Sequence, residues 1–209
     1  MFERIIDLRS FVKAWHRSNR HLEDGTIDRL LGLRWRPVEA RLQIGEMLMQ
    51  FGPELLFHDP TPYTLLRELF RIVNPERAHV FYDLGAGYGR VLLYGGLVSP
   101  AAFRGIEIIP ARVTEADRVR RNLDLQNVQF IHGNVRKTYF DDGDIFFFYN
   151  PFFVDTLRAV TRRLRRIAIR RPIRVVSIGK SSHYFRRQNW LREQASSGRL
   201  GLRFFVSHI

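Results

Sequence analysis

The stretch Val80-Phe81-Tyr82-Asp83-Leu84-Gly85-Ala86-Gly87-Tyr88-Gly89-Arg90-Val91 decides how the rest of this chain is read. Val80, Phe81, Tyr82 and Leu84 form a short apolar and aromatic run, the pattern of a strand covered on both faces. Gly85, Gly87 and Gly89 admit backbone angles closed to other residues and let a ligand approach the main chain. Val91, Leu92, Leu93 and Tyr94 then carry the apolar side of a helix. A strand, a glycine turn and a helix N-terminus in succession make a nucleotide-type binding site.

The glycine spacing separates two kinds of ligand. A dinucleotide fingerprint, G-x-G-x-x-G, needs glycine at the position held by Arg90. The spacing found is G-x-G-x-G, with Asp83 two residues ahead of the first glycine. This arrangement resembles motif I of the class I methyltransferases that use S-adenosylmethionine (SAM). The resemblance implies that Gly85, Ala86, Gly87 and Gly89 pack under the methionine portion of SAM. It places Asp83 near the cofactor's amino group.

Composition sets the outer bounds. The 209 residues suffice for one α/β domain with a sizeable core and some decoration. There is no cysteine, so disulfides, Cys-zinc sites and thiol nucleophiles are excluded, in keeping with a reducing compartment. No apolar run approaches the ~20 residues needed to span a bilayer. The first residues lack the apolar h-region of a secretory signal, and Glu3 and Asp7 argue against a transit peptide. A cytoplasmic location is expected. The formal net charge of +13 creates a field that attracts polyanions, so nucleic acid is a possible partner. Oligomeric state is not legible.

Residues 1–75 read as a helical extension, and residues 76–209 as the core. Ile5, Leu8, Val12 and Trp15 make one helical stripe. Thr26 is placed to cap a short helix bearing Ile27, Leu30 and Leu31. Pro37 suits the first turn of a helix carrying Val38, Leu42 and Met49, ended by Phe51-Gly52-Pro53. Thr61 then caps, and Pro62 opens, a helix bearing Leu65, Leu66, Leu69 and Phe70. These helices read as a cap over the cleft, with His58 to Tyr63 the segment expected to reach it. Beyond motif I, strands and helices alternate. Strands fall at Phe103 to Ile108, Val128 to His132, Ile145 to Tyr149, Ile173 to Ile178 and Leu202 to Val206. The alternation predicts a mostly parallel sheet covered on both faces.

The strand ends carry the remaining chemistry. Glu107, in Gly105-Ile106-Glu107-Ile108, sits 24 positions after Asp83, where an acid can accept from both ribose hydroxyls. Ile108 is expected against the adenine. His132-Gly133-Asn134-Val135 ends the next strand. The resembled family often has Gly-Asp there, and the Asn134 amide oxygen can accept the same adenine hydrogen bond, with the Val135 N–H as a further contact. Asn150-Pro151-Phe152, after an aromatic strand, looks like motif IV of amine-directed methyltransferases, whose common form is (Asp/Asn)-Pro-Pro-(Tyr/Phe). There the Asn150 oxygen would accept from an amine, aiming its lone pair at the methyl carbon. Phe152 would offer an aromatic face to the developing charge. A single proline replaces the usual two, which leaves lysine and other amines open beside nucleobases. Tyr63 and Phe153 are candidates for touching the acceptor.

Taken together, these motifs identify the chain as similar to class I methyltransferases over roughly residues 60–209. The resemblance implies a Rossmann-like, seven-stranded, mostly parallel sheet with an N-terminal helical cap. The seventh strand would lie near Trp190. The wording of motif I and Gly-Ile-Glu, with Thr61-Pro62-Tyr63 ahead, looks most similar to the non-SET histone-lysine group and its bacterial relatives. SAM is the implied cofactor and an amine on a protein or small molecule the implied acceptor. No metal is needed, and the histidines show no ligand spacing. Three alternatives stand beside this reading: the same fold acting on RNA or DNA, a non-catalytic SAM-binding protein, and a nicotinamide dehydrogenase, which Arg90 argues against.

Overall fold

The computed structural model describes residues 2–52, 58–197 and 200–209. Five helices lead in: α1 (Phe2–Arg17), α2 (Asp24–Leu31), α3 (Trp35–Glu39), α4 (Ile44–Phe51) and α5 (Tyr63–Val73). Strands and helices then alternate: β1 (Val80–Leu84), α6 (Arg90–Val98), β2 (Ala102–Glu107), α7 (Pro110–Asn122), β3 (Val128–His132), β4 (Ile145–Tyr149), α8 (Val154–Ala168), β5 (Arg174–Ile178) and α9 (Lys180–Arg186). A closing pair, β6 (Leu191–Ser197) and β7 (Leu202–Ser207), follows. All seven strands lie in one sheet, in the order β3-β2-β1-β4-β5-β7-β6. β7 runs antiparallel to both its neighbours, and the other ladders are parallel. The seven-stranded, mostly parallel α/β architecture expected from the sequence is present. The strand sought near Trp190 is β6.

The period-two alternation of the strands builds two cores. Phe81, Phe103, Ile145, Phe147 and Val176 face one side, with α6 and the N-terminal helices. Tyr82, Leu84, Ile106, Phe146, Phe148 and Val175 face the other, with α8 and α9. β4 feeds both, which is why its run of phenylalanines is unbroken. Because β1 pairs with β2 on one side and β4 on the other, the sheet order reverses at the carboxyl end of β1. That is the crevice where open α/β sheets bind ligands.

The lead-in helices share the first core. Val12 and Trp15 of α1, Ile27 and Leu31 of α2, and Leu66, Leu69 and Phe70 of α5 pack with Tyr94 and Leu97 of α6. Arginines of the alternating region fasten them further. Arg90 is buried and gives Nε to Asp28 Oδ1 at 2.9 Å and Nη1 to Asp24 Oδ2 at 3.1 Å; its Nη2 pairs with Asp28 Oδ2. Arg112 Nη2 donates to Glu39 Oε1 at 2.7 Å, and Arg118 Nη2 to the Gly32 carbonyl at 2.6 Å.

Several local expectations are corrected. α2 begins at Asp24, ahead of Thr26, with Glu23 in the capping position. The first N–H of α5 is satisfied by the Asp24 carboxylate at 3.0 Å, a partner 39 residues away, and Pro62 rather than Thr61 occupies the N-cap. The single helix expected from Pro37 to Met49 is two. α3 stops where Glu39 is taken by Arg112 and Tyr88, and Met49 on α4 is 86% exposed rather than part of an apolar stripe. The side chain of Ile5, and Pro53, lie outside the described residues.

Candidate functional site

A cavity of about 320 Å³ opens at the carboxyl ends of β1, β2, β3 and β4. It is lined by Gly85, Gly87, Glu107, Ile108, Asn134 and Val135 on the β1–β3 side and by Asn150, Pro151 and Phe152 after β4. A narrow extension of about 40 Å³, sharing His58, Asp59, Gly85, Gly87 and Tyr149 with it, reaches Asp83 and Ala86. Residues spread over 70 positions thus meet in one crevice, because parallel strands place all their C-terminal turns on one edge.

Glycine is required where the loop meets the turn after β4. Gly85 has φ +96°, and a Cβ built there would lie 2.6 Å from Pro151 Cβ. Gly87, at φ +53°, lies against the His58 ring. Gly89 serves differently. It caps α6 at φ +75°, packs against Phe130 and does not line the cavity.

Glu107 holds this loop. Its Oε2 accepts from the Gly87 N–H at 2.8 Å and its Oε1 from the Ile109 N–H at 3.0 Å. Arg112 Nη1 lies 3.9 Å from Oε1. Asp83 is buried, and burial followed by the charge of Glu107 pushes its carboxyl from 3.8 up to about 8. At neutral pH Asp83 therefore carries a proton, unless a cation enters beside it.

Two side chains assigned to ligand contact already make structural bonds. Asn134 Oδ1 accepts from the Arg136 N–H at 2.9 Å, closing an Asx turn. Asn150 sits at φ +45°, and its Oδ1 accepts from the Lys180 N–H at 2.9 Å, tying the β4 exit to the β5 exit. Each carbonyl oxygen has a second lone pair for a ligand. Tyr63 is corrected. It lies in the core, its hydroxyl donates to Asp28 Oδ1 at 2.9 Å, and its ring is covered by the Arg90 guanidinium at 4.9 Å. Phe153 precedes α8 and is 57% exposed, beside the cavity but outside its lining.

The cavity also holds residues that sequence reasoning did not single out: Arg112, Arg136, Tyr149 and Thr156. Tyr149 is hydrogen-bonded to Asp59, and burial and that carboxylate push its hydroxyl up to about 12. His58 packs edge-on against Tyr88 and Trp35. Burial, and then the Arg112 charge, hold it near 4, so it is neutral. Among the described residues no group of three His, Asp or Glu is placed to hold a metal ion, and no helix is long and apolar enough to cross a membrane.

Strand order, the reversed β7 and the crevice at β1 together define a Rossmann-like fold of the class I methyltransferase type. Solved structures agree. An RNA methyltransferase from Salinibacter ruber, in complex with S-adenosyl-L-homocysteine, is 21% identical with a TM-score of 0.53 over 71% of this chain and 92% of its own. A methyltransferase from Geobacter sulfurreducens is 16% identical, with a TM-score of 0.53 over 91% of this chain and 99% of its own. TrmN from Thermus thermophilus is 14% identical with a TM-score of 0.55; 75% of this chain matches about half (52%) of that one. At these identities the likeness is one of fold. No family model and no curated protein matches the chain.

Proposed function

We propose that this chain is an enzyme that transfers the methyl group of SAM to an amine nitrogen. One observation carries the reading: Asp83, the Gly85–Gly87 turn, Glu107 and Asn134-Val135 line a cavity and its extension together with Asn150-Pro151-Phe152. The donor set fits the cofactor. The buried Asp83 carboxyl suits an ammonium at the narrow end, Glu107 suits ribose hydroxyls, and Ile108 and Val135 give apolar contact for adenine. The domain assignment is part of the same proposal, with residues 76–209 as the cofactor-binding core and 1–75 as its helical cap. So is a cytoplasmic location, in keeping with the absence of cysteine.

Bound there, SAM supplies a methyl group already activated on a sulfonium. An acceptor amine would bring its nitrogen lone pair to that group and would afterwards release one proton to solvent. The chain's own work is alignment and exclusion of water. Asn150 offers its remaining lone pair to an N–H of the acceptor, and Phe152 places an aromatic face beside the charge that develops. The resemblance of motif I and Gly-Ile-Glu to the non-SET lysine group keeps protein lysine among the acceptors proposed.

Incubation with SAM labelled in its methyl group, beside lysine peptides, total RNA and small primary amines, tests this. Label is expected on nitrogen, and Asn150→Ala is expected to reduce it about 2- to 10-fold, the cost of about 0.5–1.5 kcal/mol for a hydrogen bond lost at this exposed residue. Incorporation as base-labile esters would refute the amine assignment. Cofactor binding with no transfer to any pool would make the chain a SAM-binding protein without catalysis.

A further inference from the structure

From the arginines of α8 we infer that the outward face of this helix is a docking surface for single-stranded nucleic acid, leading the strand to the cavity. The inference rests on the methyltransferase reading and names the partner of that same site.

The helix has two unlike faces. Thr156, Leu157, Val160, Thr161, Leu164, Ile167 and Ala168 are buried. Arg158, Arg162, Arg165 and Arg166 are exposed on the other side. A solvated helix face laced with salt bridges alternates charges of both signs. Here the one acid on α8, Asp155, pairs with Arg158 at 3.4 Å. Among the described residues Arg162, Arg165 and Arg166 have neither an acid partner nor a side-chain hydrogen bond. Arg162 and Arg166 are one turn apart, about 6 Å along the helix axis.

These three line an open groove with Ala159, Arg163, Ile169 and Arg136, and Arg136 also lines the cofactor cavity. Groove and cavity therefore share a wall. Arg163 fixes that relationship. It donates to the carbonyls of Val135 at 3.3 Å and Thr138 at 2.7 Å, pairs with Asp141 at 2.7 Å, and lies 3.9 Å over the Phe140 ring. The loop that carries Asn134 and Val135 is thereby clamped to the basic helix.

The chemistry of the surface selects the partner. Exposed Phe153 precedes the first turn of α8, next in the chain to Phe152 of the cavity wall, and Ile169, 67% exposed, is one of the groove's lining residues. Arginines for phosphates with an exposed aromatic for a base are the elements of a single-strand site. An anionic membrane would call for an apolar face at the surface, and the apolar face of α8 is consumed by the core. The net charge of +13 favours the encounter.

The test uses the whole chain and a fluorescein-labelled, mixed-sequence, single-stranded RNA, read by anisotropy over a salt series. One variant combines Arg162→Glu, Arg165→Glu and Arg166→Glu, and a second replaces the same three by lysine. A charge-matched control combines Arg77→Glu, Arg187→Glu and Arg192→Glu, exposed arginines outside the groove. Affinity for S-adenosylhomocysteine is measured on every preparation. We expect the groove variant to bind RNA at least tenfold more weakly, with a salt slope smaller by about 2 for three lost phosphate contacts. The lysine variant and the control retain most of the affinity, and S-adenosylhomocysteine binding is unchanged throughout. An equal loss in the control, no loss in the groove variant, or tighter arginine-dependent binding to phosphatidylserine vesicles or polyglutamate overturns the inference. Arginine-dependent RNA binding by a chain that does not bind S-adenosylhomocysteine supports the docking surface and overturns the methyltransferase reading instead.

Discussion

Glu107 and Gly87 are joined by a 2.8 Å hydrogen bond from the Gly87 N–H to Oε2, so the acid that ends β2 shapes the glycine loop that ends β1. Its other oxygen takes the Ile109 N–H. In Glu107→Gln one of those two donors must face an amide NH₂. A buried donor left unpaired costs about 1–3 kcal/mol. We expect a lower melting temperature and affinity for S-adenosylhomocysteine reduced about 10- to 100-fold, both read on the same samples by calorimetry.

Gly85 tests the contact between the loop and the turn after β4. Alanine there meets both a φ of +96° and the Pro151 ring, whereas at Gly201 it meets a φ of +69° and open space. A non-glycine residue held at such angles costs about 1–3 kcal/mol. Urea unfolding should show Gly85→Ala destabilised by more than Gly201→Ala. Equal losses would mean that Pro151 yields freely.

Arg90 stands where a dinucleotide fingerprint has glycine, and the structure gives it a different task. It bridges Asp28 of α2, Asp24 and the Thr61 carbonyl. Removing one partner of a buried ion pair costs about 3–5 kcal/mol. Arg90→Leu should lose stability on that scale. Arg90→Lys should lose much of it too, since an ammonium cannot reproduce the paired contacts to Asp28.

Stability should fall between pH 6.5 and 8 because of Asp83. Its folded-state value is raised from 3.8 to about 8, so over that interval the native state keeps a proton the unfolded chain has released. Its contribution is full below about 4 and is lost as pH rises through about 8. His16 and His58, both lowered to about 4 chiefly by burial, act in the opposite sense, and only between 6.5 and about 4. Thermal melts at pH 6.5, 7.25 and 8 should decline for the wild type and stay level for Asp83→Asn. A level wild-type profile would show that Asp83 is ionised in the folded chain.

The strands were legible because their information is local. Phe146 to Phe148 and Val80 to Tyr82 are apolar runs that lead into an asparagine-proline turn and a glycine turn, and parallel pairing brings their ends together whatever lies between. The strand-end positions of Glu107 and Asn150, both on the cavity wall, could be read for the same reason. Tyr63 was misplaced because its environment is made at a distance: Asp28 and Arg90, 35 residues before it and 27 after it, bury it together. Arg112, Arg136 and Thr156 reach the cavity from two helices and a loop, with no common spacing to betray them. The division between α3 and α4 has the same origin, since Glu39 is claimed by residues 49 and 73 positions away.

The most direct test is a calorimetric titration of S-adenosylhomocysteine into the folded chain, with NADH as the control and melting curves alongside. The account predicts single-site binding of S-adenosylhomocysteine and none of NADH. At about 100 times the dissociation constant the stabilisation is about 2.7 kcal/mol, seen as a clear rise in Tm that Asp83→Ala diminishes. No heat and no shift with S-adenosylhomocysteine, or a shift with NADH in its place, would contradict the assignment of the cavity.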